Sequence, residues 1–235
     1  MQDFLYGAAM IIIYLIPIAA VVLTARKLIK IPDELFRKIL HFILLGAYIP
    51  LITAFKTWWL AAAFAVIFTV ILYPLLTLAE KLPAFASFIN QRKSGEIRNS
   101  MVLALSMMAI STTVCWGIFG DRYLVLACVY AWGVGDAFAA LIGKQFGRHK
   151  VKFKFADHKK SVEGSMAFWI TSAVAVWIVL MVRGGIGAAG CFITAMAGAA
   201  VAMFVELCTK DGYDTFTCPA AAMVVILPLI HLFGG

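Results

Sequence analysis

A chain of 235 residues with 63% hydrophobic and 14% charged residues, and a mean hydropathy of +0.96, has too little polar surface to clothe a soluble domain. It reads as a polytopic membrane protein. The net charge of +8 points to membrane topology and not to nucleic acid as a partner, because 17 of the 20 Lys and Arg residues fall in alternate connections between apolar runs.

Cutting those runs where charges and turn residues cluster, with roughly 20 residues needed to cross about 30 Å of hydrocarbon, gives eight expected spans: 4–24, 39–55, 58–79, 100–119, 122–143, 162–182, 186–205 and 216–233. The expected fold class is all-α, a polytopic integral membrane helical bundle of about eight transmembrane helices. It forms a single transmembrane domain over 1–235, with its core motif region at 131–165. The basic connections are 25–38, 80–99, 144–161 and 206–215. The positive-inside rule puts them in the cytoplasm and both termini outside.

The first run has no basic residue before it, and Asp3 is its one charge, so it is expected to be a retained span and not a cleaved signal. The connection that follows ends in Arg37-Lys38-Ile39-Leu40-His41. A helix starting near Pro32, with Asp33 and Glu34 in its first turn, puts Lys38 and His41 at i, i+3 on one face. These are either interfacial anchors or contributors to a site. The second span is short and contains Pro50, so it is expected to be tilted, broken or re-entrant. Pro74 and Pro228 need not break theirs.

Ahead of the fourth span stands Arg92-Lys93-Ser94-Gly95-Glu96-Ile97-Arg98-Asn99, where Gly95 permits a turn. Glu96 and Arg98 form an ion pair or meet a head group there, unless the segment is simply a solvated loop. The fifth span carries Asp136, and an unpaired carboxylate at that depth costs at least about 2.5–3.5 kcal/mol. Two partners would offset it: a hard cation such as Mg²⁺, or a Lys or amide in a purely structural pair. Gly135, Ala139 and Gly143 recur at i, i+4, i+8, leaving one face of this helix open to close approach by another helix or a ligand.

Seven basic residues follow in 144–161: Lys144, Arg148, Lys150, Lys152, Lys154, Lys159 and Lys160. Anionic head groups account for most of them. Lys160-Ser161 stands where a helix begins, with Ser161 as N-cap and Glu163 and Gly164 behind it, so the free N–H groups are expected to suit a phosphate. The segment is neither a Walker loop nor a Rossmann fingerprint. The last connection brings Glu206, Lys210, Asp211 and Asp214. These acids either complete a metal site with Asp136 or supply a general base, unless Glu206 merely pairs with Lys210. The cysteines at 115, 128, 191, 208 and 218 show no metal-ligand spacing and are expected to be free packing thiols.

The order Arg37-Lys38-(x)2-His41, Gly95-Glu96, Gly135-Asp136 leading to Gly143-Lys144-(x)2-Gly147-Arg148, Lys160-Ser161-Val162-Glu163-Gly164, then Glu206 and Asp214-(x)4-Pro219 resembles the CTP-dependent membrane lipid kinases. That family comprises the phytol kinases, dolichol kinases and yeast-type diacylglycerol kinases, and it is related to the CDP-diacylglycerol synthases. The resemblance covers most of 37–228. It departs at Asp214, which Thr215 follows where many members have Asn.

The resemblance implies an all-helical membrane enzyme acting with CTP and Mg²⁺ on a lipid alcohol in the bilayer. Asp136, Glu163, Asp214 and His41 would be catalytic, and Lys38, Lys144, Arg148, Lys160, Ser161 and Gly164 would hold nucleotide or phosphate. Asp136, Glu206 and Asp214 would bind the metal. A cytidylyltransferase making a CDP-lipid, and a transporter or lipid flippase, are the competing readings.

Overall fold

Each expected span is helical in the computed structural model, which describes residues 1–81, 95–152, 160–209 and 212–235. The expectations resting on Arg92, Lys93, Ser94, Lys154, Lys159, Lys210 and Asp211, and on the Glu96 side chain, lie outside the described residues. The helices are α1 (Gln2–Leu28), α2 (Asp33–Gly46), α3 (Tyr48–Ala54), α4 (Trp58–Ala79), α5 (Glu96–Ser111), α6 (Arg122–Phe146), α7 (Val162–Arg183), α8 (Ala188–Cys208) and α9 (Asp214–Leu232). A π-helical stretch, Thr112–Ile118, extends α5. With α2 and α3 taken as one broken span, and α5 with its extension as another, eight segments are long and apolar enough to cross a membrane.

The second span breaks at Ala47, between Gly46 and Tyr48. Pro50 has no N–H to give the Gly46 carbonyl four residues back, so the helix ends there and Pro50 falls into the first turn of α3, where it is tolerated. Hydroxyls from two other helices take up carbonyls beside the break. Tyr14 donates to Ile43 at 3.2 Å and Tyr130 to Leu45 at 3.4 Å. Pro74 and Pro228 sit inside continuous helices, as do Pro17 and Pro219.

At the centre lies α6, whose apolar window is 56% buried against 6% for α1 at the periphery. Its small-residue face is where α7 docks: a Cβ on Gly135 would fall 2.2 Å from Ser172 Oγ and 2.7 Å from the Phe168 ring. One turn above Ala139 it is backbone that meets backbone, since a Cβ on Gly164 would lie 3.0 Å from the Ala139 carbonyl and 3.2 Å from Gly143 Cα. On the other side, α2 packs Leu45 over Gly133, and α9 packs Ile226 over Gly198 of α8. All five cysteines are free, with Cys115 and Cys128 adjacent at 4.0 Å between sulfurs.

Ion pairs gather at the two ends of the bundle. One end has Lys56–Asp3 at 2.6 Å and the contact of Arg183 with Asp121. The other has Arg26–Asp33, Arg98–Glu80 and Lys144–Glu34, together with the described residues of the basic connections. At this basic end Val151 N–H donates to Lys160 and Val162 N–H to His149, so an isolated antiparallel bridge of Lys150 and Ser161 ties the exit of α6 to the entry of α7.

Candidate functional site

Helix α2 begins with Asp33 and Glu34, whose charge suits a helix N-terminus, and its inward face carries Lys38 one turn later. Lys38 is only 6% exposed, and its Nζ donates to Asp136 Oδ2 at 2.7 Å. Burial of an ammonium and a carboxylate side by side is sustained by each supplying the other's charge. His41, one turn further along α2, lies 3.0 Å from the Gly133 carbonyl and 4.0 Å from Asp136. Because a carbonyl can only accept, the His41 proton sits on Nε2 in that contact.

On α6, Trp132 precedes Asp136 by four residues and so shares its face. Its indole N–H donates to Asp214 Oδ2 at 3.3 Å, and its ring stands edge-on to His41 with centroids 4.9 Å apart. Trp132 thus joins the first residue of α9 to the histidine of α2. Aromatic spacing hid this role, since a tryptophan in an apolar run reads as core; its position four residues before Asp136 was the available signal.

The remaining pair comes from α7 and α8. Lys160, immediately before the α7 cap, donates to Glu206 Oε1 at 2.7 Å, to the Glu206 carbonyl and to the Thr209 carbonyl at 3.3 Å. It therefore caps the C-terminus of α8 as well as neutralising a buried acid. Glu206 thus has a partner in Lys160, while Lys210 lies outside the described residues. The two pairs meet through α9: Trp132 holds Asp214 at its first residue, and Thr217, one turn on, lies 3.1 Å from the hydroxyl of Thr209, whose carbonyl Lys160 takes. Two lysines, three carboxylates and one histidine from α2, α6, α8, α9 and the entry of α7 therefore form one polar cluster.

The other expected site residues are placed differently. Ser161 is buried, and its Oγ accepts the Gly164 N–H at 3.2 Å. With Val162 N–H given to His149, the entry of α7 does not offer free donors to a phosphate from these positions. Gly164 is where α6 touches α7, and Ser161 Oγ packs against Gly143 and Gly147. Glu163 faces His149, accepting from its backbone N–H at 3.2 Å with Nδ1 at 2.7 Å, and stands apart from the cluster. Lys144 and Arg148 are exposed, with Lys144 3.6 Å from Glu34.

Among the described residues no three His, Cys, Asp or Glu side chains come together as a group able to hold a metal ion alone. Asp136 and Glu206 instead have lysines as partners. Mg²⁺ commonly takes one or two protein carboxylates and completes its shell with water and phosphate oxygens. Asp136, with Glu206 or Asp214, supplies carboxylates of that kind. No protein-family profile, curated protein or solved structure matches the chain.

Proposed function

We propose that the protein is a lipid kinase that transfers the γ-phosphate of CTP, with Mg²⁺, to the hydroxyl of a membrane lipid alcohol. One observation carries the reading. Lys38, His41, Asp136, Lys160, Glu206 and Asp214 are distant in sequence, fall in the motif order that resembles such kinases, and converge in one cluster at the basic end of the bundle. Charges at such depth are costly unless they act, and here they bring cations for phosphate and carboxylates for a metal into one place.

The two lysine–carboxylate pairs describe a resting state suited to this chemistry. Lys38 and Lys160 can turn their ammonium groups to phosphate oxygens, which frees Asp136 and Glu206 to face a cation of the same charge sign as the lysines they lose. Asp136 and Glu206 would then hold Mg²⁺, which would supply charge neutralisation on the transferring phosphoryl group. Asp214, held by the neutral indole of Trp132, can take the proton of the attacking hydroxyl. The lipid oxygen bonds to the γ-phosphorus as the bond to the β–γ bridging oxygen breaks, and CDP leaves. Cytidine as the nucleotide rests on the sequence resemblance, as does the placing of the basic end in the cytoplasm on the Lys and Arg distribution.

The test is to supply membranes holding the protein with CTP labelled at either the α- or the γ-phosphate, Mg²⁺ and a panel of lipid alcohols and lipid phosphates. Label from the γ position should enter the organic phase with release of CDP. Transfer of α-label with pyrophosphate would establish the cytidylyltransferase reading instead. A transporter reading draws on the fact that Lys38 and Lys160 already have carboxylate partners, as ion pathways do. Failure of either label to move would bring it forward.

A further inference from the structure

Lys160 reaches the cluster from the last residue before the α7 cap, and its own backbone is tied down from the other end of the connection. Val151 N–H donates to the Lys160 carbonyl at 3.1 Å and Val162 N–H to the His149 carbonyl at 2.9 Å. Lys150 and Ser161 stand opposite each other between these two bonds, as the non-hydrogen-bonded pair of an antiparallel ladder. A ladder of one bridge has no strand to continue it, and two-stranded pairings are marginal in water even when longer. Something further must hold the two ends of the connection together.

Glu163 does so. In a longer ladder the His149 N–H would go to the Val162 carbonyl, but Val162 is the first residue of α7 and its carbonyl points along the helix. The Glu163 carboxylate takes that N–H instead, at 3.2 Å to Oε1 and 3.3 Å to Oε2, and Oε1 also lies 2.7 Å from His149 Nδ1. A carboxylate only accepts, so Nδ1 carries the proton. One acid in the first turn of α7, where the helix dipole favours it, thus binds both N–H groups of His149 in charge-assisted contacts. Gly147 brings His149 there. A Cβ at 147 would fall 2.2 Å from the Gly143 carbonyl and 2.6 Å from Ser161 Oγ, so only a glycine lets the chain leave α6 so close to the α7 cap. Burial does not make this clasp, since the His149 side chain is 79% exposed; directed hydrogen bonds do.

We infer that Glu163 is a positioning residue: with His149 it closes the base of the connection between α6 and α7 and fixes the backbone from which Lys160 reaches Glu206 and the end of α8. Lys160 makes three contacts there, with Glu206 Oε1, the Glu206 carbonyl and the Thr209 carbonyl. A lysine gives up much rotamer freedom to hold three acceptors. A backbone already fixed by Val151 N–H on its own carbonyl, and by Ser161 in the α7 cap, confines that loss to the side chain. The effect on CTP rests on the kinase reading, in which Lys160 turns to a phosphate. The effect on the grip of Lys160 on α8 does not.

The experiment uses the full chain in phosphatidylcholine vesicles and reads amide exchange beside transfer kinetics. Glu163→Ala should quicken exchange roughly tenfold at 149–151, and by a smaller factor at 205–209, where the effect reaches α8 through Lys160. KM for CTP should rise about tenfold with kcat changed less than about threefold. Glu163→Gln should recover most of both, because an amide oxygen still accepts from His149, whereas an amide replaces neither a proton acceptor nor an anionic metal ligand. His149→Ala should act in the same direction but more weakly, since its backbone N–H remains, and should add nothing to Glu163→Ala. Unchanged exchange at 205–209 in Glu163→Ala, or a kcat for Glu163→Gln as low as that of an inactive Glu163→Ala, would overturn the positioning role. If the wild-type chain moves no label from CTP, exchange at the two segments decides the clasp by itself, and only the kinase reading falls.

Discussion

Lys38 of α2 and Asp136 of α6, 98 residues apart in the chain, meet at 2.7 Å inside the bundle, and the lysine is nearly inaccessible. Removing one member of such a pair strands the other charge and costs about 3–5 kcal/mol, whereas replacing both can be nearly neutral. Lys38→Met should therefore lower the midpoint of thermal unfolding in detergent more than Lys38→Met with Asp136→Asn. Both should abolish label transfer. Recovery of stability in the double variant without recovery of activity is the expected signature; if Asp136→Asn alone retained full turnover, the carboxylate would have no part in the chemistry.

Trp132→Phe removes one N–H and keeps most of the ring. Loss of a hydrogen bond to a charged acceptor is worth about 1.5–3 kcal/mol, so kcat should fall roughly ten- to a hundredfold with KM for CTP little changed. Trp132→Ala should add a cavity cost of about 3–5 kcal/mol and show in unfolding. A Phe variant with unaltered kcat would remove Asp214 from the reaction.

Gly164→Ala separates packing from phosphate binding. The added Cβ would press on the Ala139 carbonyl and Gly143 Cα, and overpacking of this kind costs about 1–3 kcal/mol. The variant should unfold at a lower temperature while the remaining folded fraction keeps its KM for CTP. A large rise in KM at unchanged stability would return Gly164 to the nucleotide site.

Lys160→Gln leaves Glu206 without its ammonium and loosens the last turn of α8. Amide exchange at 205–209 should quicken, and Glu206→Gln in the same chain should partly restore protection, because it removes the stranded charge. Unchanged exchange in Lys160→Gln would show that the capping contacts carry no weight.

Membrane orientation has its own test. With 17 of 20 basic residues in alternate connections, reporters at either terminus should be found on the face opposite to one inserted in 144–161. A reporter at 235 on the same face as that loop would remove the even span count.

Span boundaries were legible because clustered charges and turn residues mark where the chain leaves the hydrocarbon: 58–79 and 162–182 became Trp58–Ala79 and Val162–Arg183. The break near Pro50 was legible too, since it follows from a missing donor. The candidate site was legible as a set of suspicious residues but not as pairings. Nothing local to Lys38 or Asp136 announces a partner so far along the chain, and Lys210 competed on spacing with Lys160 for Glu206. The packing role of Ser161 and Gly164 was not legible, because a helix cap followed by glycine looks the same whether its N–H groups await an anion or its small size admits another helix. Trp132 went unnoticed because nothing in its neighbourhood reveals that Asp214 lies against its N–H.

The makeup of α2 bears on how the protein enters the bilayer. Among the eight spans the one containing α2 is the least apolar, and its Lys38 can meet Asp136 only after α6 has been made. At roughly 5–20 residues per second of synthesis, the ribosome needs roughly 5–20 s to add the 98 residues between them. During that interval α2 carries an uncompensated ammonium, and the long stem of the lysine favours a position at the head-group level. The second span is thus set to complete its insertion late, drawn in by the arrival of the fifth, so that truncation before residue 136 should leave it outside the hydrocarbon.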